Sequence, residues 1–77
     1  MASELLTYLA RELVDHPEAV RVETIKRDGA TVLQLSVAPE DIGKVIGRQG
    51  RIARALRTVV RASAARSHER VLLEIVQ

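Results

Sequence analysis

Ile42-Gly43-Lys44-Val45-Ile46-Gly47-Arg48-Gln49-Gly50-Arg51-Ile52 is the stretch of this chain whose residue types and spacing suit a definable chemistry. Gly47 and Gly50 bracket the polar pair Arg48-Gln49. Aliphatic residues lie on both sides, at the spacing expected if one short helix ends at Gly47 and another begins near Gly50. Glycine takes positive φ without steric cost and lets another backbone approach closely. The N–H groups at a helix start, aided by the macrodipole, favour an anion. The chemistry of such a corner is the non-covalent holding of a phosphate, with Arg48 and Gln49 projecting into solvent where they reach phosphate or sugar. The bland reading of the same residues is a solubilising turn.

Other glycine motifs do not fit. Gly43, Gly47 and Gly50 follow G-x-x-x-G-x-x-G rather than G-x-G-x-x-G, and no Gly-Lys-Ser/Thr closes a P-loop, so no nucleotide cofactor is expected. Catalysis is not expected either. His16 stands beside Pro17 and His68 beside Glu69, and no third group is placed by sequence to complete a nucleophile–base or metal set. Ser63 and Ser67 read as structural residues of a helix. The absence of Cys removes disulfide and thiolate–metal chemistry and agrees with a reducing compartment. No apolar run approaches the ~20 residues of a membrane span, and the amino terminus has no signal-peptide pattern. The expected location is the cytoplasm, with no membrane partner.

A chain of 77 residues makes one small domain, residues 1–77. Chains of this size bury only about 60 to 65 per cent of their unfolded surface, so stability is expected to be modest. Its apolar residues are almost all aliphatic, with Tyr8 the only aromatic. That disfavours RRM and cold-shock folds, which stack bases on aromatic side chains. The net charge of +2 hides a strong division. Lys44, Arg48, Arg51, Arg54, Arg57, Arg61, Arg66 and Arg70 face a single acid, Glu69, between positions 44 and 70, whereas acids outnumber bases before position 44. One side of the molecule should attract a polyanion. Ten arginines against two lysines favour bidentate phosphate contact.

The elements that must position the glycine corner follow from periodicity. Residues 3–15 read as a helix with Ser3 as N-cap and Leu5, Leu6, Leu9 and Leu13 on one face, ended by His16-Pro17. Residues 20–27 and 31–37 read as strands joined by the hairpin signal Asp28-Gly29. Pro39-Glu40-Asp41 opens a short helix to Ile46, with acids at its positive end. A longer helix runs from the corner to about Ser67, and Val71, Leu73 and Ile75 alternate in a last strand. The order α-β-β-α-α-β predicts an α+β domain with helices packed on one face of a three-stranded sheet.

The stretch Ile46-Gly47-Arg48-Gln49-Gly50-Arg51 resembles the signature of KH domains, Ile-Gly-x-x-Gly-x-x-Ile, although the following aliphatic, Ile52, falls one place early. The element order is similar to that of the type II, bacterial KH arrangement. The resemblance covers the whole chain and is strongest to the small stand-alone KH proteins of the KhpA (YlqC) type. It implies a cytoplasmic protein that binds single-stranded RNA, with a loop that clamps about four nucleotides. It also implies a dimer, as a homodimer or with a larger KH-containing protein. The implied role is RNA chaperone or post-transcriptional regulator, linked to cell-envelope and cell-shape control. A second possibility from another class is an adaptor that uses the KH fold for protein interaction.

On this reading the RNA-binding residues are Lys44, Gly47, Arg48, Gln49, Gly50 and Arg51. Most aliphatics at helical spacing are core, which suits Val45, Ile46 and Ile52. The resemblance implies that some of Ile42, Val45 and Ile46, with Leu35 or Val37 of the neighbouring strand, also floor a groove for bases. Advancing 100° per residue from Arg51 groups Ile52, Ala55, Leu56 and Val59 on the core side and Arg54, Arg57 and Arg61 opposite, as a steering field first and contacts second. Val60 and Ala64 fall at the edge of that stripe and are candidates for a dimer seam, the alternative being a wide core face.

Overall fold

Asp28 and Gly29 both take positive φ, 52° and 80°, in the computed structural model, which describes residues 2–77. Asp-Gly is the pair that tolerates this geometry, and the resulting tight turn matches the twist of the two strands it joins. β1 (Arg21–Arg27) and β2 (Ala30–Ser36) therefore pair antiparallel, from Arg27 opposite Ala30 to Arg21 opposite Ser36. β3 (Val71–Ile75) lies on the other side of β2 and runs parallel to it, from Thr31 opposite Val71 to Leu35 opposite Ile75. The sheet order is β1-β2-β3, so β2 is central and β3 is an edge.

The helices are α1 (Ala2–Leu13), α2 (Ile42–Ile46) and α3 (Arg51–Ala65). Single 3-10 turns occupy Pro17–Ala19, Pro39–Asp41 and Arg48–Gly50. The observed order is thus the predicted α-β-β-α-α-β. α1 packs on α3 and β1, and α3 packs on β3, which puts the helices on one face of the sheet. The core between these layers is built from Leu6 and Ala10 of α1, Leu33 and Leu35 of β2, Val45 of α2, Leu56 and Val60 of α3, and Leu73 of β3. On the opposite face Glu74 accepts a hydrogen bond from Gln34 (3.1 Å) and pairs with Arg27 (3.2 Å), a polar bridge that links all three strands.

Several boundaries differ from expectation for local reasons. Ser3 lies inside the first turn of α1, where its carbonyl accepts a bond from the Thr7 hydroxyl, and does not cap it. α1 stops at Leu13 because the next free amides, Asp15 and His16, are taken by the carboxylate of Asp41, and Pro17 follows. The first turn after Pro39 is 3-10, and the α-helix proper begins at Ile42. α3 ends at Ala65, where both the amide and the hydroxyl of Ser67 turn back to the Ala64 carbonyl.

The largest correction concerns the rotation of α3. Its buried residues are Ala53, Leu56, Val60 and Ala64, whereas Ala55 and Val59 are exposed. Val60 is only 1 % exposed and touches the core cluster, as does Ala64. Neither is available to a partner, so the proposed seam at Val60 and Ala64 is wrong: the wide-core alternative holds for both. The i, i+3, i+7, i+11 series of Ala53 was missed because small Ala53 was outranked by bulky Ile52 when the apolar face was centred.

Candidate functional site

Gly47 ends α2 with φ 77° and ψ 172°, a region essentially restricted to glycine, while its N–H donates to the Gly43 carbonyl at 2.8 Å. A Cβ here would lie 2.6 Å from Cγ1 of Ile52, so the position excludes a side chain twice over. Gly50 is left-handed at φ 73° and ψ 15°, and a Cβ there would meet nothing within 4 Å. Between them Gln49 also holds positive φ, 57°. The chain therefore reverses within Arg48–Gly50, and Ile52 packs under Gly47 while Arg48 and Gln49 stand in solvent. Arg54 donates to the carbonyl of Gln49 at 3.3 Å, a bond that ties the turn to α3. No side chain caps the start of α3.

This turn opens onto a depression of about 280 Å³ between α3 and the end of β3. Ile46 and Ile75 form its apolar walls over the nearly buried Ala53; Arg54, Arg57 and Gln77 form its polar rim, and Gly50 joins it to the turn. Polar and cationic groups make up most of this lining, with the aliphatic side chains of Ile46 and Ile75 between them, an arrangement that suits a ligand with an anionic backbone and flat substituents. The edge position of β3 adds a row of backbone groups with no strand partner.

The structure brings together Gly47, Arg48, Gln49, Gly50 and Arg51 at one corner, where Arg51 and Gln49 side chains lie 3.5 Å apart. It does not bring Lys44 there. That ammonium pairs with Asp15 at 3.1 Å and lies 3.8 Å from Asp41, and the Asp15 hydrogen bond and charge hold it above the ordinary lysine value. Of the groove aliphatics, Ile46 alone lines the depression. Leu35 and Val45 are 0 % exposed in the core and cannot meet a ligand, a correction that follows from β2 being the central strand and from α2 needing one fully buried anchor. Ile42 and Val37 are half-buried away from it.

Sequence reasoning missed Ala53, Ile75 and Gln77, and it placed Arg54 and Arg57 too far round the helix. A signal was present. The β2-α2-α3-β3 unit is a crossover, which returns its last strand parallel to the first. The strand beside α3 is thus β3. His16 lies elsewhere, 3.6 Å from Glu18 and 3.5 Å from Glu40. Among the described residues no group of His, Cys, Asp and Glu is placed to hold a metal ion, and no helix is long and apolar enough to cross a membrane.

The same architecture is found in solved structures. The chain superposes over 96 % of its length on 29 % of the Aquifex aeolicus Era chain, in a crystal structure bound to GDP.AlF4-, with a TM-score of 0.68 at 19 % identity, a likeness of fold. Relatives of the same size stand much nearer in sequence. "RNA-binding protein KhpA" of Treponema pallidum is 55 % identical over 76 residues, which is 99 % of this chain and 95 % of the relative. The protein of that name from Caldanaerobacter subterraneus is 51 % identical over 73 residues, 95 % and 97 % of the two chains. That from Clostridium acetobutylicum is 49 % identical with the same coverage. A family profile described as "KhpA/KhpB, KH domain" matches residues 3–75, from the first turn of α1 to the end of β3. With the glycine turn, the crossover and the edge strand all inside that span, the chain belongs to the KhpA/KhpB family of KH domains.

Proposed function

We propose that this protein binds single-stranded RNA without catalysing a reaction. The observation that carries the reading is the continuity between the Gly47–Gly50 turn and the trough walled by Ile46 and Ile75. Phosphates sit at the turn, held by the side chains of Arg48, Gln49 and Arg51, while bases lie against the trough under Arg54 and Arg57. The relatives bear the name of RNA-binding proteins, which supports the same assignment. A backbone clamp beside a small trough with few aliphatic side chains reads little sequence, which suits an RNA chaperone or post-transcriptional regulator of the cytoplasm. The link to cell-envelope and cell-shape control rests on the family resemblance.

Replacing Arg48 and Gln49 together by Asp tests the clamp. Affinity for single-stranded RNA should fall on the order of a hundredfold, since two favourable contacts become repulsive, with circular dichroism and melting unchanged. Wild-type affinity in that variant would remove the clamp. The slope of log affinity against log salt should lie near about −2 to −3 for three or four neutralised phosphates.

A second reading, pairing of two chains or an adaptor role, is favoured by one feature. Val59, 37 % exposed, borders a shallow depression of about 720 Å³ with Leu5 and Ala62. It faces away from the trough. We place the contact with a second copy, or with a larger KH-containing protein, on this strip. Pairing would raise affinity for long RNA through effective concentration, provided that one strand reaches both troughs.

A further inference from the structure

Asp41 is an ionisable side chain sealed in the molecule with no part in the site described above. Its carboxylate is 0 % exposed, yet it is not a stray buried charge. One oxygen accepts the amide of His16 at 2.9 Å and the other the amide of Asp15 at 3.3 Å, with the Lys44 ammonium at 3.8 Å. Both amides belong to the segment that leaves α1, so a carboxylate immediately before α2 ties it to the end of α1. The exposed pair Lys44–Asp15 repeats the tie one turn further on.

α2 needs such anchors. Five residues are too few to hold a helix by their own hydrogen bonds. Its orientation is set by Asp41 at one end, Lys44 at mid-length and Val45 in the core. Gly47, whose amide bonds back to Gly43, follows directly, so the placement of the turn depends on the placement of α2.

We infer that Asp41 is a positioning residue for the RNA clamp: with Asp15 and Lys44 it forms a strut that presets the Gly47–Gly50 turn without touching ligand. This rests on the RNA-binding reading above. It makes a prediction whose sign opposes simple electrostatics. Asp41 and Asp15 are acids, so neutralising either should strengthen binding of a polyanion if charge alone mattered. Loss of the strut instead lowers the fraction of molecules with a competent turn, and affinity falls with that fraction.

The experiment compares wild type, Asp41→Asn and Asp15→Asn as full chains. It measures affinity for a short mixed-sequence single-stranded RNA, and 15N relaxation of the backbone amides without RNA. Asp41→Asn keeps the volume and one acceptor but turns an NH2 towards an amide donor. It should bind about tenfold more weakly, and Asp15→Asn about threefold, if competent populations fall in proportion. The amides of Arg48, Gln49 and Gly50 should become mobile while those of Leu33 and Leu35 stay rigid. Folded variants with wild-type or tighter binding would overturn the inference. If Asp41→Asn loses order in the sheet as well, Asp15→Asn decides, because its exposed side chain leaves the core untouched: weaker binding supports the strut, and unchanged or tighter binding overturns it. If wild type fails to bind RNA, the functional reading falls and turn mobility decides alone, a rigid turn in both variants overturning the strut.

Discussion

The two flanks of α3 show how one amphipathic helix can serve two surfaces. Measured from the buried series Ala53, Leu56, Val60 and Ala64, one flank carries Arg54, Arg57 and Arg61, and the first two rim the trough beside β3. The other flank carries Ile52, Val59, Ser63 and Arg66 and turns towards α1, where Val59, Ser63 and Arg66 border the shallow surface with Leu5. Charge gathers where a polyanion would lie, and apolar area gathers where a protein would. A helix is about 10 Å across with its side chains, so ligand and partner would not compete.

The neighbours Val59 and Val60 offer the sharpest break of this comparison. Val60→Asp would bury an unpaired carboxylate in the core at a cost of several kcal/mol, most of the stability of a small domain. It should be unfolded at room temperature by circular dichroism. Val59→Asp places the same group at a half-open surface and should fold with a wild-type melt. If the Val59 strip is a pairing surface, sedimentation should show wild type as a dimer and Val59→Asp as a monomer that binds a four-nucleotide RNA normally. A folded Val60→Asp protein would contradict the core placement.

Reversing the basic flank is next in size. Arg54→Glu with Arg57→Glu should weaken RNA binding about thirtyfold and leave self-association intact. If these arginines line the trough, the loss appears mostly in the dissociation rate. A loss confined to association would return them to a steering role.

The two glycines of the turn separate fit from conformation. Gly47→Ala meets both a forbidden φ/ψ region and the Ile52 side chain, and should cost about 2 to 3 kcal/mol. Gly50→Ala meets only the left-handed penalty, about 1 kcal/mol. Equal destabilisation in denaturant titrations would mean that neither the Ile52 contact nor the more restricted backbone region of Gly47 adds to the left-handed penalty.

The smallest effect lies on the sheet face away from both flanks. Glu74 is held below the ordinary carboxylate range first by the Gln34 hydrogen bond and then by Arg27. Its folded pKa is lower than its unfolded one. The contribution is therefore present above the ordinary carboxylate pKa and is lost as pH falls through the folded value. Glu74→Gln should flatten the acid limb of the melting temperature against pH, with RNA affinity unchanged at neutrality.

Much of this architecture is legible in the residues themselves. Asp28-Gly29 dictates the hairpin, alternation dictates β2 and β3, and the glycine spacing dictates the turn at Gly47–Gly50. What was not legible depended on tertiary placement. Small Ala53 gave no weight to the true core face of α3, so Val59 and Val60 exchanged roles. Which strand flanks α3 follows from the crossover and not from any local pattern, so Ile75 went unseen and Leu35 was taken for groove. Lys44 looked like a ligand of phosphate because its acid partner, Asp15, lies twenty-nine positions earlier in the chain.

The parallel pairing of β2 with β3 also sets an order of events. Arg27 and Ala30 meet across a two-residue turn, so the hairpin closes with little loss of chain entropy, whereas Leu35 finds Ile75 only after the thirty-nine positions between them have been ordered. The trough has β3 as one wall and so exists only when the last strand docks. During synthesis β3 leaves the ribosome after α3, so a nascent chain displays its basic helix before the groove beside it exists.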